Sequence, residues 1–310
     1  MMSKKPFLQR ILDQKWLLLF ILPAFAYFLI FSYLPMYGIL IAFKNYTPGV
    51  SSNAFIDILN APWVGFKYFT RFFSSYYFGQ ILSNTIVLSL MGLVIGFPLP
   101  IILALTINEA KDGFFKKFTQ TVTYAPYFIS VVVVCGMLIA FLNPTTGILT
   151  HFLEFFGIKN ISFMTDPRYF KIIYVLSDVW QGTGWGSVIY LAALSGVDTQ
   201  LHEAAIIDGA SRWQRVIYIN FPILIPTMVI LLIMSVGNLM AMGYEKIILL
   251  QNPLNLDSSN VIATFVYKTG LLDAQYSYAA AVGLFNSVIN CVLLLSVNKI
   301  ARKVSDISLL

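Results

Sequence analysis

The side chains able to do chemistry are few, and they fall in two places. A polar stretch containing Glu203, Ala204, Ala205, Asp208, Gly209, Ala210 and Ser211 lies between two strongly apolar segments. Asp198 or Thr199 can cap a short helix running through it, Gly209 suits the left-handed residue that stops that helix, and Ser211 can cap the next. The pattern predicts helix, sharp turn, helix: a knuckle whose two alanines offer a small face between two carboxylates, open to close approach by another protein. An ordinary charged connection between helices is the plainer alternative. The second place is inside the apolar runs, where Asp178, Trp180, Gln181, Gly182, Gly184 and Trp185 are clustered. Further on, Ser235, Asn238 and Met242 recur at i, i+3 and i+7, one face of a helix. These groups provide ring faces, amides and hydroxyls for packing and hydrogen bonding.

The absences narrow the field. No Gly-x-x-x-x-Gly-Lys-Ser/Thr loop is present to cradle nucleotide phosphates, and neither Gly-x-Ser-x-Gly nor His-Glu-x-x-His occurs. With only His151 and His202, no spacing supports a metal site. His202 beside Glu203 reads as a solvated surface residue. The chain is expected to be non-catalytic, with no catalytic residue, metal or cofactor of its own.

The elements that must hold these residues are membrane helices. Hydrophobic residues make up 58% of the chain and charged residues 11%, against roughly a quarter charged in soluble domains. The net charge of +6 comes from lysines and arginines flanking apolar segments, where they set orientation rather than bind nucleic acid. Cys135 and Cys291 both lie inside apolar runs and suggest no disulfide framework.

Residues 1–15 form an N-terminal segment in which Phe7, Leu8, Ile11 and Leu12 recur at helical spacing, an amphipathic helix for the membrane surface. Residues 16–310 read as a single transmembrane domain with spans at about 16–43, 81–107, 121–142, 171–194, 222–242 and 278–297. Pro23 and Pro35 are expected to bend or end the first. Residues 143–170 and 243–277 read as loops, the former with a small surface helix at 151–157. Six spans put both ends on one side. That side, with the knuckle, carries 12 of the lysines and arginines against 8 opposite, which places both termini and the knuckle in the cytoplasm.

Glu-Ala-Ala-x-x-Asp-Gly-Ala, followed by Ile219, Pro222 and Pro226, resembles the signature loop of the permease subunits of binding-protein-dependent ABC importers. The spacing runs over about two dozen residues, and its place before the penultimate span agrees. Tyr46-Thr-Pro-Gly and Pro62-Trp-Val-Gly-Phe-Lys-Tyr-Phe look most like the sugar-importer sub-group, particularly permeases serving oligosaccharides. Asp198 stands where that family often has proline, and His202 where an aromatic is common.

The resemblance implies a division of labour in a bacterial cytoplasmic membrane. A second homologous permease, in a heterodimer, completes the pathway, and an extracellular solute-binding protein delivers the oligosaccharide. Two cytoplasmic ATPases bind ATP and Mg and grip the knuckle, the family's coupling helix, through Glu203, Ala204, Ala205, Asp208, Gly209 and Ala210. A sugar needs ring faces and hydrogen-bonding groups along its path. Trp180, Gln181, Gly182, Trp185, Ser235, Asn238 and Met242 are the candidate lining, with the tryptophans packing between helices as the alternative. Asp178 is expected in an ion pair or outer vestibule, with Lys171 within reach. Asn286 and Asn290 are expected in helix-helix hydrogen bonds. The loops at 143–170 and 243–277 are the expected docking surface for the binding protein. Import of another solute is the alternative within the family, and a stand-alone channel or secondary transporter is the alternative outside it.

Overall fold

A computed structural model describes residues 15–51, 53–157 and 162–305. The expected surface helix at 4–15 lies almost wholly outside them. Among the described residues the chain is helical, apart from an isolated bridge between Lys44 and Trp63. We label the helices α1 (Trp16–Phe43), α2 (Ala54–Asn60), α3 (Lys67–Phe73), α4 (Phe78–Glu109), α5 (Phe114–Tyr124), α6 (Val131–Phe141) and α7 (Ile148–Phe155). There follow α8 (Pro167–Ser195), α9 (Thr199–Ile207), α10 (Arg212–Gly237), α11 (Tyr244–Leu250), α12 (Leu256–Ser259), α13 (Ile262–Leu272) and α14 (Tyr276–Ser305).

Among the described residues four helices, α1, α4, α10 and α14, are long and apolar enough to cross a membrane. α1 changes from α to π at Leu29–Tyr33 and to 3-10 at Leu34–Phe43, with Pro35 opening the last section. None of its most apolar stretch is buried by this chain, so that stretch is left to lipid or a partner, while the far end, with Ala42 fully covered, packs into the bundle. α8, at 29 residues, spans about 43 Å, more than the roughly 30 Å hydrocarbon layer. Asp178, Gln181 and Thr183 make it less apolar than the other four.

The span expected at 121–142 is instead broken. α5 and α6 meet at 98°, because Pro126 can donate no backbone hydrogen bond and Ile129 and Ser130 turn extended. Ser130 then restarts the helix, its hydroxyl accepting from the Val133 amide at 3.4 Å. The freed Ile129 carbonyl accepts from Gln181 Nε2 at 2.8 Å, so α8 satisfies the break. Just beyond, Gly184 brings α8 onto the end of α5. A Cβ there would sit 1.8 Å from the Thr123 carbonyl oxygen.

Residues 243–277 are likewise not a free loop. They fold into α11, α12 and α13 and bury Ile247, Leu250, Val261 and Ile262 in two of the hydrophobic clusters that hold the bundle together. Asn84 on α4 donates to the Asp257 and Asn260 carbonyls at 2.8 and 3.1 Å, and the Thr85 hydroxyl accepts from the Ile262 amide at 3.0 Å. The apolar pattern of this region is too short, segment by segment, to announce helices that pack only through such distant partners. The other expected loop carries α7 at 148–155, close to the expected surface helix.

Candidate functional site: a polar cavity and an exposed knuckle

A cavity of about 680 Å³ opens between α4, α8 and the end of α10, within the range that holds small ligands. Gln181, Gly182, Ser235, Asn238 and Met242 line it together. Gly182 faces open space, whereas Gly184 is consumed by the contact with Thr123. The tryptophans do not join them. Trp180 faces a separate apolar cleft beside Met137, Phe141 and Leu149. Trp185 stacks on Tyr127 at 5.1 Å and meets the edge of Phe128 at 5.6 Å, sealing the seam between α8 and the α5–α6 break.

The reason Ser235, Asn238 and Met242 converge differs from the one their spacing suggests. α10 stops at Gly237, and Asn238 terminates it, Nδ2 donating to the Met234 carbonyl at 3.1 Å. Residues 238–243 continue without a helix. Asn286 Nδ2 donates to the Met240 carbonyl at 3.0 Å, and Asn290 Oδ1 accepts from the Met240 amide at 3.0 Å. Two side chains of α14 thus bond both backbone groups of one residue, the service a helix would otherwise provide. Irregular backbone in a membrane protein is tolerated where it lines a cavity and its polar groups are answered.

Asp178 pairs with Lys246 of α11, Oδ1 to Nζ 3.3 Å, rather than with Lys171. The lysine side chain is 7% exposed and the aspartate 63%. The ammonium also lies 5.5 Å from the Tyr174 ring centre, and all three residues line the cavity with Glu245 and Ser89. Lys246, Glu245, Tyr174 and Ser89 were not legible as lining residues. The only local sign was a charged pair opening the apolar run Ile247–Leu250.

The knuckle forms as its caps require. Asp198 accepts from the Gln200 amide at 2.9 Å to start α9. At its end Gly209 has φ +79°, and the Gly209 and Ala210 amides donate to the carbonyls of Ile206 and Ala205 at 3.0 and 2.8 Å. This is the double hydrogen bond of a left-handed helix stop. Ser211 and Gln214 then cap each other's backbone at the start of α10. No residue of α9 is buried, and Ile207 is 85% and Trp213 76% exposed. Glu203, Ala204, Asp208 and Gly209 are exposed, and Ala205 and Ala210 half-buried. Directly after the knuckle α10 contains a π segment, Val216–Asn220, whose Asn220 donates from Nδ2 to Glu109 Oε1 of α4 at 3.1 Å. The knuckle is therefore tied to two long helices.

On the opposite part of the sequence order, the two early motifs meet each other. The Asn45 amide donates to the Pro62 carbonyl at 2.8 Å, Phe43 and Trp63 stack at 5.8 Å, and the Tyr46 amide donates to Ser277 Oγ at 2.9 Å. They brace the end of α1 against the start of α14.

The profile of the family described as "Binding-protein-dependent transport system inner membrane component" matches residues 96–306. The chain is 40% identical over 304 residues to the polygalacturonan/rhamnogalacturonan transport system permease protein YteP of Bacillus subtilis (strain 168), covering 98% of this chain and 93% of the relative. It is 39% identical to protein LplB of the same organism, covering 93% and 89%. Among solved structures it is similar to a bacterial ABC transporter involved in the import of the acidic polysaccharide alginate. That match has TM-score 0.86 and 38% identity, over 96% of this chain and 98% of the other. A structure of bacterial alginate ABC transporter in complex with alginate pentasaccharide-bound periplasmic protein matches with TM-score 0.87 at 37% identity, over 98% and 99%.

Proposed function

This chain belongs to the family of inner-membrane components of binding-protein-dependent transport systems, and from that premise we propose that it forms one half of the pathway of an ATP-driven oligosaccharide importer. The names of its relatives support an oligosaccharide over other solutes, and the cavity's amides and hydroxyls suit one. In this reading the chain crosses the membrane six times, with α5–α6 as one broken span and α8 as the fourth. Both termini and the knuckle are cytoplasmic. A second, homologous permease closes the other side of the passage, and an extracellular binding protein docks on the α7 and α11–α13 side. ATP and Mg are held by two partner ATPases.

The observation that carries the reading is the knuckle. A nine-residue helix with both ends capped, no residue buried by its own chain and bare isoleucines at its tip is a surface kept for a partner. Glu203, Ala204, Ala205, Asp208, Gly209 and Ala210 meet the ATPase in this account. The π segment and the Asn220–Glu109 bond pass its motion to α10 and α4. An ion-coupled transporter would call for several intramembrane ionisable groups, and the cavity offers chiefly the Asp178–Lys246 pair with Glu245.

The test is co-purification. A tagged chain should bring down an ATPase, and Ala204→Arg with Ala205→Arg should lose it while the membrane protein still inserts. An ATPase retained undiminished by that variant would refute the coupling role.

A further inference from the structure

The cavity wall is rich in hydrogen-bond acceptors and carries a net negative charge. Gln181 Nε2 donates to the Ile129 carbonyl and Asn238 Nδ2 to the Met234 carbonyl, so each amide keeps its oxygen and a second N–H for other partners. Asp178 uses Oδ1 for Lys246 and has no bond to Oδ2 among the described residues. Glu245 is exposed on the same wall and has no ion pair or side-chain hydrogen bond among the described residues. The single lysine on the wall is bound to Asp178, lies over Tyr174 and is almost wholly covered, so it stands behind the carboxylate rather than in the passage. The Ser89 hydroxyl is buried at the cavity with no partner, and the exposed Ser235 hydroxyl makes no hydrogen bond among the described residues.

Such a wall selects by charge, with Asp178 and Glu245 set against Lys246. A neutral sugar hydroxyl both donates and accepts, so it answers amide oxygens and carboxylates alike, and bonds to an ionised acceptor are the stronger ones. A uronate carboxylate only accepts and is negatively charged. Here it would meet two carboxylates with the one cation already paired.

We propose that Asp178, held in place by Lys246, is the acceptor for saccharide hydroxyls in this half of the passage, and that the wall passes neutral sugar units in preference to uronates. The proposal rests on the oligosaccharide-import reading above and names the substrate class for it.

The test uses the complete transporter in proteoliposomes and two matched probes: tetragalacturonate and the same tetramer with its carboxyls reduced to hydroxymethyl groups. Each is supplied on saturated binding protein, so that capture outside the membrane does not set the rate. The neutral tetramer should enter at least about tenfold faster. Asp178→Asn should slow the neutral probe, speed the uronate and bring the ratio close to one. Glu245→Gln, which leaves the ion pair intact, should narrow the ratio on its own. Equal or faster entry of the uronate in the unaltered transporter overturns the proposal. So does a loss of rate in Asp178→Asn that falls on both probes equally, the mark of a merely structural ion pair. If neither tetramer enters with ATP present, the import reading fails and this inference falls with it.

Discussion

Gly209→Val isolates the shape of the knuckle from everything around it. Gly209 sits at φ +79°, and a Cβ added there meets nothing within 4 Å, so the substitution introduces no clash. Its whole cost is dihedral. A left-handed backbone costs an L-residue about 1–2 kcal/mol, and strained residues of this kind about 1–3 kcal/mol, with β-branched side chains worst placed. The two hydrogen bonds that stop α9, at 3.0 and 2.8 Å, depend on that turn. A shift of about 1–3 kcal/mol reduces the population of the correct turn roughly 5- to 150-fold. ATP-driven uptake, normalised to the amount of inserted protein, should fall by a factor in that range, while the melting temperature of the membrane domain stays close to the parent's. Gly209→Asn, which tolerates the left-handed region, should keep most of the uptake. Undiminished transport by the valine variant would refute the lever. Equal losses for valine and asparagine would show that the glycine provides space for the partner and not backbone freedom.

Three further outcomes follow from the packing. Gly184→Ala places a Cβ 1.8 Å from the Thr123 oxygen and should destabilise the fold by about 1–3 kcal/mol or more, whereas Gly182→Ala, with open space around it, should leave thermal unfolding unchanged. Asn290→Ala leaves the Met240 amide unanswered and should cost about 1–3 kcal/mol, read as a lowered melting temperature with loss of uptake as the 238–243 segment relaxes. Trp185→Ala removes the stack on Tyr127, worth about 0.5–1.5 kcal/mol beyond its burial. It should lower stability without changing substrate dependence, while Asn238→Ala, on the cavity wall, should alter the concentration dependence of uptake.

The parts of this molecule that could be read in advance are those fixed by neighbours in the sequence. The knuckle is one: Asp198, Gly209 and Ser211 act within three residues of themselves. The long apolar helices are another, because burial in lipid needs only composition and length. What escaped was set by distant partners. The break between α5 and α6 has a local cause in Pro126, but its persistence depends on Gln181, 52 residues away. The helices of 243–277 are stabilised by Asn84 and Thr85 on α4, and nothing in their own composition announces that. Adjacency in the sequence groups the two tryptophans with Gln181. Yet neighbours on a helix point about 100° apart, and Trp180 and Gln181 face different clefts. Ser235, Asn238 and Met242 do share a cavity, although the helical spacing that linked them ends at Gly237.

The most direct test of the account is ATP-driven accumulation of an oligosaccharide in proteoliposomes holding this chain, its permease partner, the ATPases and the binding protein. The account predicts uptake that requires ATP and the binding protein together and disappears in Ala204→Arg with Ala205→Arg. Uptake that continues without ATP, or in that double variant, would contradict it.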